Sequence, residues 1–168
     1  MVSASLLKSC RPFISDIAHC DINDRFLLIE AAPDGLCLLN AILICINFDR
    51  PEPMSLLLLQ SKILSEINTN LESYTPRYCL MEDAFDINQD IALYLDSKIY
   101  NTALCDIIPL ILANAFKCDL VIHCTGYEIQ INPDPIFHAA SLPSERPIFH
   151  LLKRGEHYDA LIPAPVSQ

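Results

Sequence analysis

Pro33-Asp34-Gly35-Leu36-Cys37-Leu38-Leu39-Asn40-Ala41-Ile42 sets a turn against the start of a long apolar run. Pro, Asp and Gly each favour turns for a different reason: a fixed φ, a side chain that bonds local backbone, and freedom at positive φ. From Cys37 to Ile46 nearly every position is apolar on whichever helical face is counted, Asn40 excepted. A helix apolar all round is a buried one, so this segment is expected to be the central helix, with Cys37 in its first turn. There the helix dipole and free backbone N–H groups stabilise a thiolate, and the same N–H groups hold an oxyanion. The competing role for any cysteine in such a run is that of a small apolar core residue.

Working outward, Phe26 to Ala31 reads as a short buried strand leading into the turn, and residues 11–25 as a short helix and loop. Downstream, Asn47 to Pro53 breaks the central helix. Ser55 then caps a second helix whose apolar positions Leu56, Leu59, Ile63, Leu64 and Ile67 recur at three- and four-residue spacing, ending near Asn68-Thr69-Asn70. A helix is expected from about Ile87 to Ser97, and another from Asn101 or Thr102 to Phe116, with Pro109 tolerated near its start or kinking it. Strands follow at Asp119–Cys124 and Tyr127–Ile131, joined tightly by Thr125-Gly126. Further extended segments are Pro147–Leu152 and His157–Ile162, with a turn at 153–156 and a tail from Pro163. Strand, buried helix, more helices and then a cluster of strands make a mixed α/β domain whose sheet assembles late in the chain.

The chain has 168 residues, 52% of them hydrophobic, which is enough for one ordinary core and short for two, so a single domain spanning 1–168 is expected. It carries 21 acidic and 11 basic residues, a formal charge of −10, with no basic run. That excludes nucleic acid and anionic membrane as expected partners and leaves room for a basic protein surface. No apolar stretch approaches the ~20 residues of a membrane helix. The eight cysteines (10, 20, 37, 45, 79, 105, 118 and 124) never form a C-x-x-C clip, and no charged start with a long apolar segment opens the chain. Reduced thiols in a cytoplasmic, soluble protein are the expectation.

A nucleophilic cysteine needs a base and a group to orient it. His157 is followed two places later by Asp159, and in a strand residues i and i+2 share a side. The carboxylate can then fix the imidazole tautomer and favour its charged form. Cys37 and His157 stand 120 positions apart, so the fold must bring them together, as is usual for cysteine hydrolases.

Asp34-Gly35-Leu36-Cys37-Leu38 with His157-Tyr158-Asp159 resembles the ovarian tumour (OTU) family of cysteine proteases. Its signature is Asp-Gly-x-Cys-Leu-aromatic early and His-aromatic-Asp/Asn late. Tyr100 to His123 also resembles the family's segment before its central strands, so the likeness covers about residues 26–162. It departs at Leu39, where Phe or Tyr is usual, and at Leu36, where Asn is frequent. The resemblance implies a papain-like OTU domain, its central sheet packed between helices and its nucleophile at the N-terminus of a buried helix. It implies Cys37 as nucleophile, His157 as general base and Asp159 as third member, with the backbone of Asp34, Gly35, Leu36 and Cys37 as oxyanion hole. It further implies hydrolysis of isopeptide bonds after the Gly-Gly terminus of ubiquitin or a ubiquitin-like protein, by a monomer without metal or cofactor.

Glu82, Asp83, Asp86 and Asp90 form the densest acidic stretch. They are candidates for the arginines that precede the glycines of a ubiquitin tail, the alternative being an ordinary solvated face. His123 and Cys124 are adjacent in a strand, so their side chains diverge, and with Cys118 they have no metal-ligand spacing. His138 and His150 lack an acid two places away and read as surface or strand residues. Two other functions share the motifs: processing of a viral or transposon polyprotein by the same fold, and ubiquitin binding without cleavage.

Overall fold

The computed structural model describes residues 25–79, 86–99, 102–134 and 146–165. The helix and loop expected over 11–25, apart from Arg25, lie outside the described residues, as do Glu82, Asp83 and His138. The elements are β1 (Phe26–Ile29), α1 (Cys37–Asn47), α2 (Leu56–Tyr78), α3 (Ile87–Ser97), α4 (Thr102–Phe116), β2 (Asp119–Cys124), β3 (Tyr127–Ile131), β4 (Ile148–Arg154) and β5 (His157–Pro163).

The strands form one sheet in the order β1-β5-β4-β2-β3, antiparallel throughout except for the parallel pair β2/β4. Ile29, Ala160, Leu151, Ile122 and Ile129 stand opposite one another in a row across all five strands. The first four of these are buried in the same core as Leu38, Leu39 and Ile42 of α1 and Ile108, Ile111 and Leu112 of α4. Side chains alternate along a strand, and on the other face Leu152 and Leu161, from the two flanking rows, join Phe26 and Leu28 in a smaller apolar cluster.

Two short turns set strand registers. Thr125-Gly126 joins Cys124 to its partner Tyr127, with Gly126 at φ 86°, and Gly155-Glu156 joins Arg154 to its partner His157, with Gly155 at φ 58°. β4 thus runs two residues beyond its expected end. β1 stops two residues short of its expected end, because the N–H of Ala31 donates to the Asp159 carboxylate (3.0 Å) rather than to a ladder carbonyl. The expected tail starts later as well: Pro163 pairs with Phe26, and Ala164 N–H donates to Arg25 O (2.8 Å).

Ser55 caps α2 by accepting from Leu58 N–H (3.2 Å), as the spacing predicts. The helix does not end near Asn70 but kinks there (φ −122°, ψ 25°) and continues to Tyr78. Asn70 Nδ2 donates to Glu66 Oε1 (2.9 Å) across the kink, and the Tyr74 hydroxyl donates to the same oxygen (2.8 Å). Tyr74 and Tyr78 beyond the kink are fully buried. The anchoring residues change from aliphatic to tyrosine, which hides the continuation from an aliphatic count. α4 runs through Pro109 without a break.

Candidate active site

Cys37 is the first residue of α1, preceded by Leu36 with no side chain capping the helix. The first-turn N–H groups of a helix have no intrahelical partner, so an uncapped start leaves them available in front of the thiol. Leu36 and Leu39, at the two departures from the motif, are both fully buried, so the apolar substitutions fill the core beneath the loop. Cys37 is partly exposed, and its thiol contacts the carbonyl oxygen of Glu156 (Sγ···O 3.8 Å). That carbonyl belongs to the residue just before His157, so the fold brings the start of α1 to the start of β5 across the 120-residue separation.

His157 and Asp159 share a side of β5, as expected, with Nε2 of the imidazole 2.9 Å from Asp159 Oδ1. Tyr158 between them points the other way and is buried in the main core. Asp159 has no exposed surface. A buried carboxylate needs charge-assisted partners, and this one has three donors: Ala31 N–H and His157 on Oδ1, and Arg154 Nη2 on Oδ2 (2.5 Å). Arg154 is a participant that a motif reading misses. Its signal was the turn itself, since a two-residue hairpin places 154 opposite 157 and so beside the side chain at 159.

Asp34 braces the loop before the cysteine. Its Oδ1 accepts from Leu36 N–H (3.1 Å) and Asn40 Nδ2 (2.9 Å), and its Oδ2 is paired with Lys98 Nζ (2.8 Å). The bond to Lys98 comes first among the causes that hold the Asp34 carboxyl below its ordinary pKa. Asn40, the polar exception in the apolar helix, was the legible half of this arrangement; Lys98 was not legible. Gly35 has φ 84°, a conformation side chains rarely adopt.

The acidic candidates are placed only in part. Asp86 is the exposed N-cap of α3, accepting from Gln89 N–H (2.9 Å), and Asp90 Oδ2 accepts from the Tyr78 hydroxyl (2.6 Å). α3 rises about 1.5 Å per residue, which puts Asp90 and Asp86 roughly 12 and 18 Å along the chain from Lys98. His123 Nε2 lies 3.1 Å from His150 Nδ1 in a stacked pair, and His123 Nδ1 lies 2.8 Å from Glu128. His150 is thus a strand residue with a specific partner. Burial is the leading cause holding both imidazoles below their ordinary pKa. The Cys45 and Cys118 thiols are pushed up to about 12, mainly by burial.

No family model matches the chain, and no curated protein matches it by sequence. Solved structures do match. The viral OTU domain protease of Taggert virus superposes with a TM-score of 0.61 at 16% identity, over 89% of this chain and 86% of that one. The fold is that of OTU domains. The Hazara virus OTU bound to ubiquitin gives 0.59 at 16% identity, over 95% and 99% of the two chains. An OTU deubiquitinase of Wolbachia pipientis wMel bound to ubiquitin gives 0.54 at 14%, over 83% and 97%. Among the described residues of this OTU fold, no helix is long and apolar enough to cross a membrane.

Proposed function

We propose that this protein is a cysteine hydrolase that cleaves the bond after the Gly-Gly terminus of ubiquitin or a ubiquitin-like protein. The observation that carries this reading is the contact of the Cys37 thiol with the carbonyl preceding His157, whose imidazole is held by a buried carboxylate. Nε2 of His157 is committed to Asp159, which leaves Nδ1 for the cysteine. Cys37 attacks the carbonyl carbon as a thiolate, with the backbone of Asp34, Gly35 and Cys37 receiving the oxyanion; the Leu36 N–H, expected in the same set, is instead taken by Asp34 Oδ1. The imidazolium then protonates the departing lysine amine. Water, deprotonated by the neutral imidazole, attacks the thioester and restores the thiolate. Asp159 holds the imidazole, and Arg154 and Ala31 hold Asp159.

The substrate class is supported by two proteins of the same fold that were solved with ubiquitin bound. The two glycines that end such a tail carry no side chains to obstruct their approach to Cys37. Some of Glu82, Asp83, Asp86 and Asp90, the densest acidic stretch, receive the arginines that precede those glycines. The protein works as a monomer in the cytosol, where its thiols stay reduced.

Ubiquitin bearing a C-terminal electrophile tests the proposal. A covalent adduct mapped to Cys37, absent in Cys37→Ala, is expected; an adduct at another cysteine, or none with folded protein, overturns the reading.

A further inference from the structure

We infer that Lys98 is a positioning residue for the oxyanion loop, gripping Asp34 with its ammonium while its backbone buttresses Gly35. The inference rests on the hydrolase reading above and adds to it a residue outside both sequence motifs.

Three observations converge. Lys98 Nζ lies 2.8 Å from Asp34 Oδ2, while Oδ1 of the same carboxylate accepts from Leu36 N–H and from Asn40 on α1. Asp34 thus ties the loop to its own helix through one oxygen and to the end of α3 through the other. Second, the backbones meet: a Cβ placed on Gly35 would lie 2.4 Å from the Lys98 carbonyl oxygen and 2.9 Å from its Cβ. Only glycine fits. Third, Lys98 sits in the left-handed region (φ 58°) as the cap of α3, its N–H donating to Tyr94 O (2.9 Å). A non-glycine residue is uncommon there, and at this position the cap presents side chain and carbonyl to the same loop.

An oxyanion hole works by donors fixed before charge develops. A loop whose carboxylate loses one of its two tethers keeps its fold but loses that fixity. The loss falls on reactions that pass through a tetrahedral oxyanion and spares those that do not. Alkylation of a thiolate by iodoacetamide displaces iodide at a saturated carbon and forms no oxyanion, so it reports on the thiol alone.

The test compares wild type, Lys98→Met and Lys98→Arg in the full chain. On a ubiquitin C-terminal fluorogenic amide, Lys98→Met is expected to lower kcat by about 10- to 100-fold with KM within about twofold, and Lys98→Arg to retain kcat within about threefold. Iodoacetamide should alkylate Cys37 at the wild-type rate in all three. By carboxyl carbon NMR, the Asp34 titration should move to higher pH in Lys98→Met and stay low in Lys98→Arg. An unchanged kcat in Lys98→Met, an equal fall in alkylation rate, or an unmoved Asp34 titration overturns the inference. A wild type that leaves the amide uncut instead overturns the substrate reading, and the Asp34 titration then decides the grip on its own.

Discussion

Asp159 carries two loads, orienting His157 and closing a buried junction between Ala31 and Arg154. The two separate by substitution. Asp159→Ala should lower kcat less than Cys37→Ala, since water partly replaces an orienting group, but it also strips partners from a buried N–H and a guanidinium. A stability loss of about 2–4 kcal/mol in urea unfolding is expected. Asp159→Asn, which keeps an acceptor, should retain more of both. The described cysteines offer a second check. Burial raises the Cys45 and Cys118 thiols to about 12, and a thiol so protonated is a poor nucleophile. Mass mapping after brief iodoacetamide treatment at neutral pH should find the label on Cys37 and on exposed Cys79, with Cys45 and Cys118 unlabelled. The turn of Asp34 ahead of Cys37 and the pairing of His157 with Asp159 were legible because both depend on residue types at short spacings. Lys98 and Arg154 were not, because each reaches its carboxylate through a turn or cap whose geometry exists only once folded.

Among the elements, the turns differ in what they tolerate. Gly35, Gly126 and Gly155 all have positive φ, yet only Gly35 has atoms pressed against the space of a Cβ. Gly126→Ala and Gly155→Ala should each cost on the order of 1 kcal/mol from backbone conformation alone. Gly35→Ala should cost more, about 2–3 kcal/mol, because Lys98 must also retreat. A denaturant series on the three variants checks the ranking. α2 carries a buried polar chain: Glu66 accepts from Tyr74, whose hydroxyl accepts from Asn114 of α4, whose Oδ1 accepts from Asp134 N–H. Asn114 is fully buried, so Asn114→Leu should destabilise by about 1–3 kcal/mol by stranding those partners. Helix α1, the hairpins and the Ser55 cap were legible from apolar runs, turn residues and capping chemistry. The second half of α2 was not, since its continuation depends on Tyr74, answered by Asn114 some 40 positions on, and on Tyr78, answered by Asp90 of α3.

For the molecule as a whole, the stacked His123–His150 pair makes stability depend on pH. Burial lowers both folded pKa values below the ordinary 6.5. The unfolded chain therefore binds these protons first, and the stabilisation, complete above about pH 6.5, is lost as pH falls through the folded values. The melting temperature should drop below pH 6.5, and less steeply in His150→Gln; equal slopes would place the acid sensitivity elsewhere. Surface charge gives the remaining expectation. Asp86→Asn preserves the helix cap while removing a charge, and should raise KM for ubiquitin substrates by up to a few-fold at low salt, less at high salt, with kcat unchanged. A final consequence follows from the pairing of β1 with β5, which joins Phe26 to Pro163. While a ribosome is still building the chain, Cys37 emerges long before the strand that carries its proposed base has been made. On the proposed reading the thiol is therefore latent during the chain's own synthesis, and it gains its base only when β5 closes the sheet against β1.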